Sequence, residues 1–230
     1  DQYGNQVWSS YINDMSNVNA FDVTTDDGFI LIGSGYQNGE NSLDMLIVKI
    51  NSNRAEEWRR YFGGESENND GRAIHQLSDG SYIAGGNVHE TNYNFQYYVV
   101  KIDENGNTIW DYSYGSAQAQ YIYDLQSTND GGFIFIGQDY NNISLIKLNS
   151  DGTIVWEKPN LVDSPYLLGG NYSVKQLVNG GYAIFGTRGI NSSSYDWYLK
   201  MFDEDGNETD SETYNYGLND YGRSVIETYE

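Results

Sequence analysis

A chain of 230 residues with 38% hydrophobic and 15% aromatic content can bury a core that needs neither disulfides nor metals. A formal charge of −21 argues against nucleic acid and anionic membranes as partners, because both would be repelled across most of the surface. The lack of cysteine excludes disulfides, thiolate chemistry and Cys-ligated metal centres, and no apolar run reaches the roughly 18 residues of a membrane span.

Three columns of equivalent residues reveal an internal repeat of about 50 residues. The first column is a tryptophan, at Trp8, Trp58, Trp110 and Trp156, with spacings of 50, 52 and 46 residues. The second is a glycine that closes an apolar run, at Gly33, Gly86, Gly137 and Gly186. The third is a lysine behind a short apolar stretch, at Lys49, Lys101, Lys147 and Lys200. Because the three columns recur in one order, the chain is a repeat protein.

Each repeat is predicted to form four short strands, A to D. In the second repeat, residues 72–77 form strand A, 78–80 a tight turn, 81–86 strand B and 96–102 strand C. Residues 103–107 reverse the chain with a glycine, and strand D runs through Trp110 to Tyr114. Several strands are apolar on both faces, which predicts sheets that are covered on both sides. This pattern favours an all-β fold, a β-propeller of four-stranded blades.

The blades are expected to divide a single domain, residues 1–230, by a fixed register. Residues 1–14 are strand D of a preceding blade, and four complete blades span 15–62, 63–114, 115–160 and 161–216. Residues 217–230 are strand A of a further blade. One blade then lacks strands B and C, so we expect that the natural chain continues and that the incomplete blade is open or filled by another chain.

The best-formed motif runs from Lys101 through Asp103, Gly106, Asn107 and Trp110 to a Tyr-Gly pair, and residues 130–137 add an Asp-Gly-Gly-Phe-Ile strand that ends in glycine. It resembles the repeats of large secreted or surface-attached bacterial β-propellers, which are similar in blade layout to quinoprotein-like propellers. The resemblance implies an extracellular or cell-surface location. This chain departs from the motif at Arg54, where the turn glycine is missing, and at Asp210, where the tryptophan is missing.

Most candidate polar sites have a structural interpretation. The column lysines are expected to keep solvated tips near the turn after strand C. His75 lies on strand A, where it lines a central channel or packs there, and His89 falls in a B–C loop. The turn at residues 203–208 resembles a calcium loop, but its glycine is in the wrong position and Tyr214 replaces the last carboxylate ligand. No cofactor is expected, and calcium would bind these acidic turns only weakly.

Binding is predicted on the loop rim, which we define as the B–C and D–A loops. These loops differ in every repeat, whereas the A–B and C–D turns are short and repetitive, and variable loops on a rigid scaffold usually carry binding. Tyr36, His89 and Tyr140 each follow the column glycine by three residues. With Asp163 they are the predicted ligand-binding residues, because aromatic faces beside carboxylates suit a sugar.

The sequence therefore predicts a non-catalytic extracellular module for adhesion, glycan binding or assembly of a surface structure, with a glycan or protein partner on the loop rim. One alternative is a carbohydrate-active enzyme with two carboxylates facing each other across the channel mouth. Another is a purely structural subunit, which would carry a large apolar patch at a subunit contact. No serine–histidine–aspartate order or phosphate-binding glycine loop supports an enzyme.

Overall fold

The computed structural model describes residues 3, 5–6, 8–9, 11–37, 41–63, 68–90, 94–115, 119–140, 142–162, 172–191, 194–215, 217, 220 and 223–228. These residues form sixteen strands and no helix, so no described segment could cross a membrane as a helix. Sheet 1 contains β1 (Met15–Val23), β2 (Phe29–Gly35), β3 (Asp44–Ile50) and β4 (Glu56–Phe62). Sheet 2 contains β5 (Asp70–Gln76), β6 (Tyr82–Glu90), β7 (Asn94–Ile102) and β8 (Thr108–Tyr114). Sheet 3 contains β9 (Gln120–Ser127), β10 (Phe133–Asp139), β11 (Asn142–Leu148) and β12 (Ile154–Lys158). Sheet 4 contains β13 (Ser173–Gln176), β14 (Tyr182–Asn191), β15 (Ser194–Phe202) and β16 (Glu208–Tyr214).

Every sheet is an antiparallel meander of four consecutive strands, which confirms the all-β repeat predicted from the sequence. Consecutive sheets pack against each other: β5 lies against β1 and β2, β9 against the strands of sheet 2, and β13 against β9 and β10. The core lies between the sheets, where aliphatic and aromatic side chains from facing strands are fully buried. This packing explains why central strands such as β11, whose apolar side chains are buried against the sheets on both sides, are apolar on both faces.

The tryptophan column marks the contact from one sheet to the next. Trp58, Trp110 and Trp156 each lie opposite the column lysine of their own sheet. Each ring meets an aromatic ring of the following sheet edge-on, at centroid distances of 5.9, 5.8 and 5.7 Å, the partners being Tyr82, Phe133 and Tyr182. Trp8 stacks on Phe29, which starts the same strand of sheet 1, but it lies outside any strand and is partly exposed. The three strand tryptophans are thus equivalent, and Trp8 keeps only the aromatic contact.

The C–D turns keep one geometry in all four repeats. Gly106, Gly152 and Gly206 have φ angles of 79°, 87° and 74°, a left-handed conformation that glycine adopts without steric cost. Arg54 occupies the same place with φ 72°. The missing glycine therefore leaves the turn intact, and the Arg54 guanidinium lies 5.2 Å from the centre of the Trp8 ring.

The B–C connection of the second repeat is shorter than the sequence predicted, and that of the fourth is short as well. Strands β6 and β7 stay paired to Glu90 and Asn94, and β14 and β15 stay paired to Asn191 and Ser194. The pairing continues because apolar side chains beyond the column glycine, such as Val88, still pack against the neighbouring sheet. His89 consequently belongs to strand β6, and its assignment to a loop was wrong.

Candidate functional site

Two of the four predicted ligand-binding residues, Tyr36 and Tyr140, present exposed rings just after the second strand of their sheets. Their side chains are 42% and 60% exposed. The Tyr36 N–H donates to the carbonyl of Asp14 at 2.8 Å, and the Tyr140 N–H donates to the carbonyl of Ala119 at 2.9 Å. Equivalent backbone bonds therefore hold the two exposed tyrosines at the same end of sheets 1 and 3.

His89 is more enclosed than these tyrosines. Its imidazole meets Phe95 edge-on at 5.3 Å, and Phe95 lies 5.3 Å from Tyr121 of the next sheet. The backbone N–H of His89 donates to the Asn69 side-chain oxygen at 2.6 Å. His89 thus takes part in a contact between sheets 2 and 3, while Asp163 lies outside the described residues.

The prediction that the column lysines keep solvated tips was wrong for two of the four. Lys49 and Lys147 are each only 3% exposed. Lys147 donates to Asp130 at 2.7 Å and to the carbonyl of Leu148 at 3.0 Å. Lys49 makes the same bonds to Asp26 at 2.8 Å and to Ile50 at 3.2 Å.

The partner carboxylates lie in the A–B turns, so each ion pair joins the turn between two strands to the third strand of the same sheet. Hydrogen bonds from Lys49 and Thr24 lower the pKa of Asp26 to about 2. Burial opposes ionisation of Asp130, yet bonds from Lys147 and Thr128 lower its pKa to about 2. Sheet 4 has Asn179 in this turn, and Lys200 pairs with Glu208 at 2.6 Å instead.

The first strands of consecutive sheets bring a row of polar residues together. His75 of β5 has its Nδ1 atom 3.7 Å from the Asp22 carboxylate of β1, and Asp22 also accepts from the Gln76 N–H at 3.1 Å. Asp124 of β9 accepts from the N–H groups of Leu125 and of Val174 in the next sheet, both at 2.9 Å. Each carboxylate therefore binds the backbone of the following sheet.

Asp70 and Asp124 are the described carboxyl groups with a raised pKa, in both cases because burial disfavours the charged form. Asp70 accepts from Asn19 at 2.7 Å and from Ser34 at 3.2 Å, and pairs with Arg72 at 2.8 Å. Both carboxylates are thus engaged in bonds between or within sheets, which accounts for their burial without a catalytic role.

One face of sheet 1 is apolar and exposed. A groove of about 400 Å³ lies along it, lined by Trp8, Ile12, Met15, Phe21, Phe29 and Leu31 among others. Phe21 is 64% exposed, whereas the residues at its place in sheets 2, 3 and 4, Ile74, Leu125 and Val174, are 1%, 0% and 0% exposed. Those three are covered by the preceding sheet. The groove is therefore the surface on which a further sheet would pack.

Within the described part of the chain, no three histidine or acidic side chains lie close enough to share a metal ion. No model of a known protein family matches the sequence, and no curated protein matches it.

Proposed function

We propose that the four sheets are blades of a β-propeller, set around an axis on which the inner strands β1, β5, β9 and β13 converge. Three features support this arrangement: consecutive packing of the sheets, the same aromatic contact at each junction, and hydrogen bonds from β5 to Asp22 of β1 and from β13 to Asp124 of β9. Thr25 and Asn129 both donate from their N–H groups to a glutamine of the following inner strand, at 2.7 Å in each case. Residues 223–228 continue the series, since Glu227 accepts from the Val178 N–H at 2.8 Å.

The function that this arrangement supports best is non-catalytic binding of glycans at the loop rim, in an extracellular or cell-surface module. The observation that carries the proposal is the pair of exposed tyrosines, Tyr36 and Tyr140, fixed by equivalent backbone bonds. A sugar ring stacked on one tyrosine gains roughly 1 kcal/mol, so useful affinity requires several blades acting together. A protein with a charge of −21 would favour neutral ligands on this surface.

A glycan-array screen of the full chain, with and without calcium, tests this function. Tyr36→Ala and Tyr140→Ala should each weaken binding of any hit about fivefold, and the double variant should abolish it. Tyr112→Ala is the matched control, because Tyr112 is similarly exposed but lies on β8 away from the loop rim. Equal loss of binding in the control, or no loss in the rim variants, would refute the site.

A second candidate function, assembly of a surface structure, is favoured by the exposed face of sheet 1. Its equivalents in the other sheets are each covered by a neighbouring sheet of the same kind, so the complementary surface is another sheet of this repeat. We infer that a second copy of the chain supplies it.

A further inference from the structure

A second cavity, of about 250 Å³, lies on the face of sheet 4 that packs against sheet 3. Strands β14, β15 and β16 and residues 160–162 form its walls. Its volume equals that of about eight waters and is slightly smaller than the roughly 300–1,000 Å³ of drug-sized ligand pockets. The cavity therefore has room for one small molecule of the size of a sugar ring.

The corresponding face of sheet 2 is apolar where this cavity is polar. Strand register places Arg188 and Lys200 of sheet 4 where sheet 2 has Val88 and Val100. Both valines are buried in the core between sheets 1 and 2. At the junction of sheets 3 and 4, polar side chains therefore surround a space that aliphatic side chains fill in sheet 2.

A buried tyrosine holds the same position in both sheets but has a hydrogen-bond partner in only one of them. Tyr98 of sheet 2 and Tyr198 of sheet 4 each lie opposite the column glycine of their sheet. The Tyr98 hydroxyl donates to the carboxylate of Asp111 at 2.8 Å. In sheet 4, Ser211 stands in the place of that aspartate. Tyr198 is 3% exposed, and its hydroxyl has no partner among the described residues.

Two buried donors at the cavity wall are thus left without an acceptor. Burial raises the pKa of the Tyr198 phenol well above its ordinary value, so the hydroxyl keeps its proton and can donate. The buried Nε of Arg188 is the second unpaired donor. Unpaired buried donors are costly, and a ligand with acceptor groups would satisfy them.

The charged side chains around the cavity balance one another. Asp196, which is buried, lies directly opposite Arg188 on the same face of the sheet, and one of its oxygens is unpaired. Lys200 is neutralised by Glu208 at 2.6 Å. Glu212 also borders the cavity, but it is one step out of phase with these residues, so strand alternation directs its side chain to the other face. A charged ligand would meet no unbalanced opposite charge here, and the site therefore fits an uncharged molecule.

We propose that this cavity binds one uncharged sugar unit, whose hydroxyls accept hydrogen bonds from Tyr198 and Arg188. Hydroxyl groups fit the site because each one both donates and accepts, and the hydroxyl side chains of β16 on the wall offer the same combination. Leu161 and Val162 form an apolar wall on which the C–H face of the sugar ring can lie. The inference rests on the proposed function only in the class of ligand, because the exposed rim tyrosines do not line this cavity.

The test is a calorimetric titration of the full chain with glucose, galactose and mannose as separate probes. Salt of about 0.15 M screens the long-range effect of the charge of −21. At least one of the three hexoses should bind saturably. The uronic acid and, at pH 6, the amino sugar of that hexose should each bind at least about tenfold more weakly, because neither charge finds a free partner. The amino sugar is the sharper control, since the acidic surface as a whole favours a cation.

Two variants locate the site. Tyr198→Phe should weaken hexose binding about tenfold without lowering the unfolding temperature, because the lost hydroxyl has no partner in the described structure. Tyr98→Phe is the matched control: it loses the bond to Asp111, so it should lower the unfolding temperature and leave hexose binding unchanged. Thr213→Phe, at an exposed position of the cavity wall, should fill the cavity and abolish hexose binding.

Three results would each overturn the proposal. The first is the absence of saturable binding of all three hexoses, which is the result expected if only water fills the cavity. The second is equal affinity for the charged counterparts of the hexose. The third is unchanged affinity in both Tyr198→Phe and Thr213→Phe.

The double variant Tyr36→Ala, Tyr140→Ala separates this proposal from the rim function. It should lose array binding and keep the hexose affinity of the unaltered chain. If a hexose binds in the cavity while the array shows no rim-dependent hit, the cavity site stands and the rim function fails. Rim-dependent array binding without a hexose in the cavity refutes the cavity site alone.

Discussion

Lys147 shows how single residues connect the strands of one sheet. Its ammonium group is almost fully buried, and Asp130 and a backbone carbonyl accept its hydrogen bonds. Removing one partner of a buried pair leaves an uncompensated charge, which costs more than the pair itself contributes. Asp130 is itself half exposed, so water would compensate part of that loss.

Asp130→Asn should therefore lower the free energy of unfolding by about 2 kcal/mol, between the values for surface and buried ion pairs. Asp79→Asn is the matched control, because its partner Lys101 lies 3.3 Å away and is more exposed. The control should lose less than about 1 kcal/mol in the same urea denaturation experiment. Equal losses in both variants would show that burial of the lysine does not determine the effect.

The aspartates of the A–B turns in sheets 1 and 3 also make the free energy of unfolding depend on pH. Asp26 and Asp130 have their pKa lowered from 3.8 to about 2 in the folded state. A depressed folded pKa contributes stability above pH 3.8 that is lost as the pH falls towards 2. With both carboxylates partly exposed, solvent screening reduces each contribution to about 1 kcal/mol.

The double variant Asp26→Asn, Asp130→Asn should accordingly be less stable than the unaltered chain at pH 6, and the difference should shrink between pH 4 and pH 2. Asp70 and Asp124, whose pKa is raised, contribute with the opposite sign, but they are present in both proteins and cancel in the comparison. Chemical denaturation at several pH values measures the difference. If the difference in the free energy of unfolding stays constant down to pH 2, the pKa values of Asp26 and Asp130 are not lowered by folding.

At the scale of elements, the C–D turn combines a backbone requirement with a packing requirement. Gly106 has φ 79°, and a Cβ atom added there would lie 2.9 Å from the Trp58 ring of the preceding sheet. Gly80, in an A–B turn, has φ 84° but open space within 4 Å. Both glycines adopt the left-handed conformation, but only Gly106 lies against a neighbouring side chain.

Gly106→Ala and Gly80→Ala should each lower the free energy of unfolding by about 1 kcal/mol, because alanine is disfavoured in the left-handed conformation. Gly106→Ala should cost roughly 1–3 kcal/mol more, because Trp58 has to move from its edge-on contact with Tyr82. Thermal and urea unfolding of the two variants measures the difference. If they are equally destabilised, the tryptophan column does not depend on the turn glycine.

The strands could be predicted from the sequence, whereas the side-chain contacts between strands and turns could not. Residues 72–77 were predicted as strand A, and β5 spans Asp70–Gln76, because turn glycines and apolar runs are local signals. The burial of Lys49 in β3 depends on Asp26, 23 residues away in a turn, although an aspartate three residues before the second strand in three of the repeats was a usable signal. The residue inserted in the last repeat is visible in the sequence, but strand register is needed to show that it places Lys200 opposite Ile184, on the other face from the remaining column lysines.

At the scale of the whole molecule, consecutive sheets pack against each other in the same way. The apolar face of sheet 1 that contains Phe21 remains exposed. Each of sheets 2 to 4 receives the preceding sheet on an apolar face, and sheet 1 presents the same face without a described sheet upon it. Trp8 covers part of it by stacking on Phe29 at 6.4 Å. Residues 223–228, at the other end, lie where an inner strand would follow sheet 4, with the Val225 N–H donating to Ser173 at 3.0 Å.

This difference between the two ends leads to the prediction on assembly. If a second copy covers the sheet 1 face, Phe21 becomes buried in the contact, and its ring should contribute roughly 2 kcal/mol. Light scattering at about 0.15 M salt, where repulsion between the acidic copies is screened, should show a dimer. Phe21→Glu should convert it to a monomer, while Ile109→Glu, which changes an exposed apolar side chain on β8, should not. Because Phe21 is exposed in the single chain, its substitution should leave the unfolding temperature of the monomer nearly unchanged. A wild-type protein that remains monomeric, or a dimer that survives Phe21→Glu, would mean that another surface or another molecule covers this face.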